Sequence, residues 1–290
     1  MYVPTNLDTP SNPSPQAKIA SPPLDNPTPP QPTQIITIPI RESTSIDDSS
    51  TDAGRIWNAA LDILEGSEGF RALYWGKHVE NDLEEKGMVR VQVTIVRDSM
   101  DAHHTFLNSP VYNTFLIALS PLSPQIQKKP TIYHTSLSHF TKNPSTLSYS
   151  PNCITSRSKP AKDFVTGTTI YLTTSPASFL KTWKLWTTLI PPIPGCLGCT
   201  GGFISESVDG HPAGQGYIVY VGWESIDAHE AYHTTRDFRR KGVILSLWNR
   251  GWRGYGHVRF LGSRGRLDWE EEEEERGDYA EGRGMRGGKL

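Results

Sequence analysis

Two histidines of this chain recur in the same setting. His103 and His229 each stand four residues after a serine, Ser99 or Ser225, and three before an aromatic, Phe106 or Tyr232. A serine followed by Asp101 or Asp227 marks a helix start. Its hydroxyl accepts from an otherwise unpaired backbone N–H, and the carboxylate complements the helix dipole. The spacing of three then places imidazole and aromatic on one stripe, the stripe facing a sheet. An imidazole there titrates near neutrality and can move a proton or hold a ligand; it can equally be a neutral core group satisfied by backbone. Around His229 stand Trp223, Tyr220 and Tyr232, aromatics suited either to grip a flat substrate or to fill a core.

Other reactive residue types carry less. Cys196 and Cys199 have the C-x-x-C spacing, but they follow a Pro-rich loop and enter a strand, whereas a redox pair usually opens a helix that lowers the thiol pKa. Zinc needs about four ligands, and neither a second cysteine pair nor an H-x₃-H accompanies them, so no metal site is expected. No phosphate loop, dinucleotide fingerprint or nucleophile elbow is present, and no cofactor is expected. Arg283-Gly284 and Arg286-Gly287 resemble RNA-binding Gly/Arg segments, yet Glu270 to Glu275 precede them and would repel phosphate.

Elements that could position these groups emerge from a repeat. Trp57 matches Trp183 at an offset of 126, and Gly69, Gly76, Glu80 and Val93 meet Gly195, Gly202, Glu206 and Val219 at the same offset. Ser99-Met100-Asp101-Ala102-His103 meets Ser225-Ile226-Asp227-Ala228-His229, and Leu119-Ser120 meets Leu245-Ser246. Chance would scatter such matches over many offsets, so a duplicated unit is expected. Each copy reads β-α-β-β-α-β. Ile36, Ile38 and Ile40 alternate in a first strand, with Thr168 to Thr173 as its partner. Ala53 to Leu64 forms an amphipathic helix, matched by Phe179 to Ile190. Strand two is Phe70 to Lys77, or Cys196 to Ser205. Strand three is Val89 to Ile95, or Tyr217 to Val221. Pro110 is placed to break the second helix of the first copy, and Thr131 to Leu137 and His257 to Leu261 close the copies.

The expected organisation is a Pro/Ser-rich leader over 1–32, repeats over 33–140 and 165–263, a flexible linker over 141–164 and an acidic, Gly/Arg tail over 264–290. Each repeat leaves one sheet face open, including Ile218 and Tyr220. Burying apolar surface yields about 25 cal/mol per Å², so the two faces should meet in a barrel-like core. The fold expected is therefore α+β: two tandem ferredoxin-like repeats paired within one chain as a monomeric pseudo-dimer. With 29 basic and 31 acidic groups the net charge is -2, which gives no field to attract nucleic acid or an anionic membrane. No apolar run approaches the roughly 20 residues needed to cross a bilayer. Three cysteines form no disulfide framework, and a cytoplasmic location is the expectation.

Gly222-Trp223-Glu224-Ser225-Ile226-Asp227-Ala228-His229-Glu230-Ala231-Tyr232, with Thr235 and Phe238 beyond it, resembles the strand-to-helix signature of antibiotic biosynthesis monooxygenase domains, in the dimeric α/β-barrel superfamily. Asp98 to His103, with Phe106, Ser109 and Tyr112, is similar, but Arg97 stands where the family usually has an aromatic. Tandem forms resemble fungal-type members. The resemblance implies oxidation of a small aromatic or polyketide-like compound without metal or flavin, with Trp223, Tyr220, Tyr232 and His229 around the substrate and the second repeat the better candidate, since the first lacks a Trp223 equivalent. The alternative is a non-catalytic barrel that binds a hydrophobic ligand or serves an assembly.

Overall fold

The computed structural model describes residues 31–80, 87–123, 126, 130–139, 164–189 and 193–265. Most of the leader, the linker and the tail lie outside the described residues, as do Cys153, the glutamate run and the Gly/Arg segment. Pro32 belongs to the first strand and Gly265 to the last.

Strand β1 (Gln31–Arg41) leads into helix α1 (Asp52–Glu65), then β2 (Phe70–His78), β3 (Met88–Arg97), α2 (Met100–Leu107), α3 (Pro110–Leu119) and β4 (Thr131–His139). The same order follows again: β5 (Val165–Thr173), α4 (Pro176–Thr187), β6 (Cys196–Phe203), β7 (Gly216–Trp223), α5 (Ile226–His233), α6 (Arg236–Ser246) and β8 (Asn249–Gly265). All pairings are antiparallel, and the strands close into one barrel in the order β1-β3-β2-β8-β5-β7-β6-β4. Closure removes the exposed strand edges that an open sheet would present.

The two halves meet strand to strand, along β2–β8 and β4–β6, as well as through their inward faces. Glycine makes both seams close. A Cβ on Gly76 would lie 2.3 Å from the Arg259 carbonyl oxygen, and one on Gly202 would lie 2.4 Å from that of Ser136. Those are the glycines that match at the 126-residue offset, one per seam. Inside the barrel, Gln92 donates to Tyr220 Oη at 3.1 Å, linking β3 of one half to β7 of the other.

Alternation decides which side chains face inward. Val91, Val93 and Ile95 pack with Trp57 and Leu61 of α1 outside the barrel, while Gln92 and Thr94 are buried on the opposite face. In β7, Tyr217, Val219 and Val221 pack with Trp183 and Phe179 of α4, whereas Ile218 and Tyr220 point inward. Several boundaries differ from the sequence reading. Helix α4 begins at Pro176 and ends at Thr187, earlier than expected, because proline is well suited to the first turn. The second helix is broken at Pro110, which starts α3, as expected, and also in the second half, where Thr235, whose hydroxyl accepts from Phe238 N, caps α6. Finally, β8 runs 17 residues rather than the five of His257 to Leu261. Its early part is Gly- and Arg-rich and lacks alternation, and Gly251 and Gly254 have positive φ.

Candidate functional site

The turn from β7 into α5 sets the second half's site. Ser225 caps α5 by accepting from Ala228 N at 3.0 Å, which fixes the helix start and brings His229 and Tyr232 onto its buried face. Trp223, the last residue of β7, stacks on the His229 ring with centroids 4.5 Å apart and planes 17° apart. Tyr232 packs against the same indole at 5.6 Å. Gly167 of β5 lies opposite; a Cβ there would come 3.1 Å from His229 Cε1, so this strand position accommodates the imidazole by having no side chain.

These groups line a cavity of about 560 Å³ between β5, β7, β8 and helices α5 and α6, with Trp186, Trp252 and Tyr255 among its other walls. Two buried donors of residues in that wall, Trp223 Nε1 and Tyr232 Oη, have no hydrogen-bond partner among the described residues. Buried donors are rarely left so, because each unmade bond costs about 1–3 kcal/mol. Both atoms are closed off from the cavity as well as from solvent, so what this wall offers a ligand is the aromatic faces of the two residues beside the His229 imidazole.

His229 Nδ1 is bonded to His257 Nε2 at 2.7 Å, and His257 in turn to Glu80. Glu80 comes from the other half of the chain, just beyond β2. Its Oε2 accepts from the His257 backbone N–H at 2.5 Å, and its Oε1 accepts from His257 Nδ1. A matching arrangement lies across the barrel: Glu206 accepts from the His134 backbone N–H at 2.8 Å and from Nδ1 at 2.5 Å. There, however, His134 Nε2 meets the Gln34 amide nitrogen at 3.0 Å, not a second histidine. Burial opposes ionisation of Glu80 and Glu206, but the hydrogen bonds from His257 and His134 outweigh it and hold both carboxyls below their usual range.

The sequence-derived residues therefore divide. His229, Tyr232 and Trp223 are brought together. Tyr220 is not among the cavity's lining residues: the two-residue period of β7 turns it into the barrel, opposite to Val219 and Val221. His103 is fully buried in the first half, with Nε2 on the Pro32 carbonyl at 3.1 Å, and Arg97 lies over Phe106 at 4.6 Å where the second half sets Trp223 against Tyr232. Cys196 and Cys199 are buried, and desolvation pushes the Cys196 thiol up to about 12, the reverse of a redox thiol. Among the described residues no cluster of metal-ligating side chains occurs.

Comparison with known proteins agrees on architecture. No family model matches the chain, and no curated protein matches it in sequence. Among solved structures, an anthrone oxidase-like protein aligns with a TM-score of 0.56 and 12% identity, over 81% of this chain and 93% of that one. A protein of Fusobacterium nucleatum described as a candidate monooxygenase aligns with a TM-score of 0.51 and 8% identity, over 82% and 96%. The chain has a monooxygenase-like fold. At such identities the likeness extends to the fold and no further. Among the described residues no helix is long and apolar enough to cross a membrane.

Glu80, His257 and Tyr255 were not singled out from sequence. Glu80 and Glu206 did match at the 126-residue offset, but His134 and His257 are 123 residues apart, so a three-residue slip late in each half conceals their correspondence.

His229 and His103 make stability depend on pH. Burial, with the nearby charges of His233 and His257, lowers His229 to about 3; burial, partly opposed by the Pro32 carbonyl, lowers His103 to about 4. Both folded values lie below the unfolded value near 6.5, so below that pH the unfolded chain binds more protons than the native one. Stability is then complete above about pH 6.5 and declines as pH falls toward 4, by up to about 1.4 kcal/mol per pH unit for each histidine. Urea unfolding across that window checks this; a flat profile would contradict it.

Proposed function

We propose that the chain is a monooxygenase-type enzyme that oxidises a small aromatic, polyketide-like compound at the cavity of its second half, with His229 as general base. The observation that carries the reading is the cavity itself. A single wall combines the His229 imidazole with the aromatic faces of Trp223, Tyr232, Trp252 and Tyr255. Burial lowers His229 to about 3, so it is unprotonated at neutral pH but a weaker base than a free imidazole, and the proton it takes is held through His257 by the Glu80 carboxylate. The shared fold with an anthrone oxidase-like protein is consistent with this class of substrate.

The chemistry balances with molecular oxygen as the one co-reactant. A methylene made acidic by flanking aryl and carbonyl groups gives a proton to His229 Nε2, leaving a delocalised carbanion. Electrons pass from that anion to O₂ in single steps, and a C–O bond forms to give a peroxide anion. The peroxide takes the proton back from His229. Loss of the second C–H proton with cleavage of the O–O bond then gives C=O and one water. In this reading the rings of Trp223 and Tyr232, packed beside the imidazole, hold the flat substrate against it.

We further infer that the chain arose by duplication, with units over 33–140 and 165–263. Supporting this are the constant 126-residue offset, the repeated element order and the two Glu–His pairs that each join one half to the other. In this reading only the second unit is catalytic, and His103 serves packing. The direct test incubates the purified chain aerobically with phenolic compounds bearing an activated methylene and looks for a product with one oxygen gained and two hydrogens lost. Saturable binding without any product would leave a ligand-binding barrel instead.

A further inference from the structure

A base in this cavity works only if the right ring nitrogen carries the lone pair. His229 has two: Nδ1, turned to His257, and Nε2. A neutral imidazole bears one proton, and the hydrogen bond at one nitrogen decides which it is. We infer that Glu80, although it is supplied by the other half and does not line the cavity, is the positioning residue that sets this choice, acting through His257 to hold His229 as the Nδ1–H tautomer with its lone pair at Nε2. The inference rests on the proposed base role for its purpose, but its structural content stands on hydrogen-bond bookkeeping.

That bookkeeping starts from a group that can only donate. The His257 backbone N–H occupies Glu80 Oε2, and the other carboxylate oxygen takes His257 Nδ1. An ionised carboxylate only accepts, so Nδ1 of His257 must carry a proton. When His257 is neutral, the proton at Nδ1 leaves a lone pair at Nε2, and the 2.7 Å contact then has His229 donating from Nδ1. His257 is 1% exposed and its side chain has no room to exchange partners with solvent, while Glu80, 45% exposed, keeps its charge near water. The twin arm supports the same order independently. Gln34 presents its amide nitrogen, a donor, to His134 Nε2, which must therefore accept, leaving Nδ1 to donate to Glu206. In that half the relay ends on an amide and reaches no base. Second partners that orient a histidine in this way are strong determinants of its function elsewhere.

Glu80→Gln makes a sharp test. The backbone N–H of His257 can be satisfied only by the new amide oxygen, which turns the NH₂ toward His257 Nδ1. Both rings must then invert: His257 donates from Nε2, and His229 carries its proton on Nε2, where the base is needed. Imidazole ¹⁵N NMR of the full chain without substrate should show His229 protonated at Nδ1 in the wild type and at Nε2 in E80Q. Glu206→Gln, which leaves this arm untouched, should retain the wild-type pattern at His229. On any compound the wild type oxidises, E80Q should lower kcat at least tenfold with KM little changed. A wild type already protonated at Nε2 would overturn the inference without any variant. So would an E80Q spectrum with the His229 tautomer unchanged, or a tautomer inverted with full kcat. Absence of any turnover by the wild type would instead refute the proposed function and leave the tautomer assignment intact.

Discussion

His229→Gln lowers kcat/KM by roughly 10²–10⁴-fold, the range that a positioned general base contributes. Glutamine is the informative replacement because its amide N–H can still donate to His257 Nε2, so the buried contact at 2.7 Å keeps a partner. The carbonyl it adds cannot hold a proton in the pH range of the reaction. Steady-state kinetics with a substrate found by the aerobic screen measure the effect, and KM should move little because the wall formed by Trp223 and Tyr232 is retained. His229→Ala should be at least as slow, and in addition strands His257 Nε2. A rate near wild type for the glutamine variant would remove His229 from the chemistry.

Trp183→Ala should destabilise the fold by about 3–5 kcal/mol, the usual range for emptying a large aromatic from a core. The side chain is fully buried, stacks on Trp186 with centroids 5.1 Å apart and meets Tyr217 at 5.6 Å. Chemical denaturation reads the loss. A smaller second effect should accompany it: Trp186 also forms part of the cavity wall, so loosening its support should raise KM more than it lowers kcat. A cost below about 1 kcal/mol would mean that the site collapses around the missing ring and that α4 is held chiefly by other contacts.

What the sequence disclosed followed from strong local rules. Strand β3 alternates apolar and polar residues from Val89 to Ile95, and residues on both faces are buried, one set against α1 and one inside the barrel. Ser99 and Ser225 cap their helices as side-chain chemistry predicts, accepting from Ala102 N and Ala228 N. Those caps deliver His229, Tyr232 and Trp223 to one place, so the core of the candidate site was legible. Tyr220 lies inside the barrel beside Ile218, on the face where the strand period puts it, and so apart from the residues that line the cavity. The long β8 was missed. Its pairing with β5 and β2 is a tertiary fact, and Asn249 to Gly256 carry no apolar alternation to announce it. The Glu80–His257–His229 relay joins residues 177 and 28 positions apart. Only the seam between β2 and β8 brings Glu80 to His257, and nothing local to either residue signals the contact.

The most direct measurement is the source of the oxygen in the product. A polyketide-like phenol with an activated methylene, incubated with the wild-type chain under heavy-isotope oxygen gas, should acquire one labelled atom per molecule, with one O₂ consumed for each carbonyl formed and no product under argon. Label drawn from water, or product formed equally well without oxygen, would contradict the account.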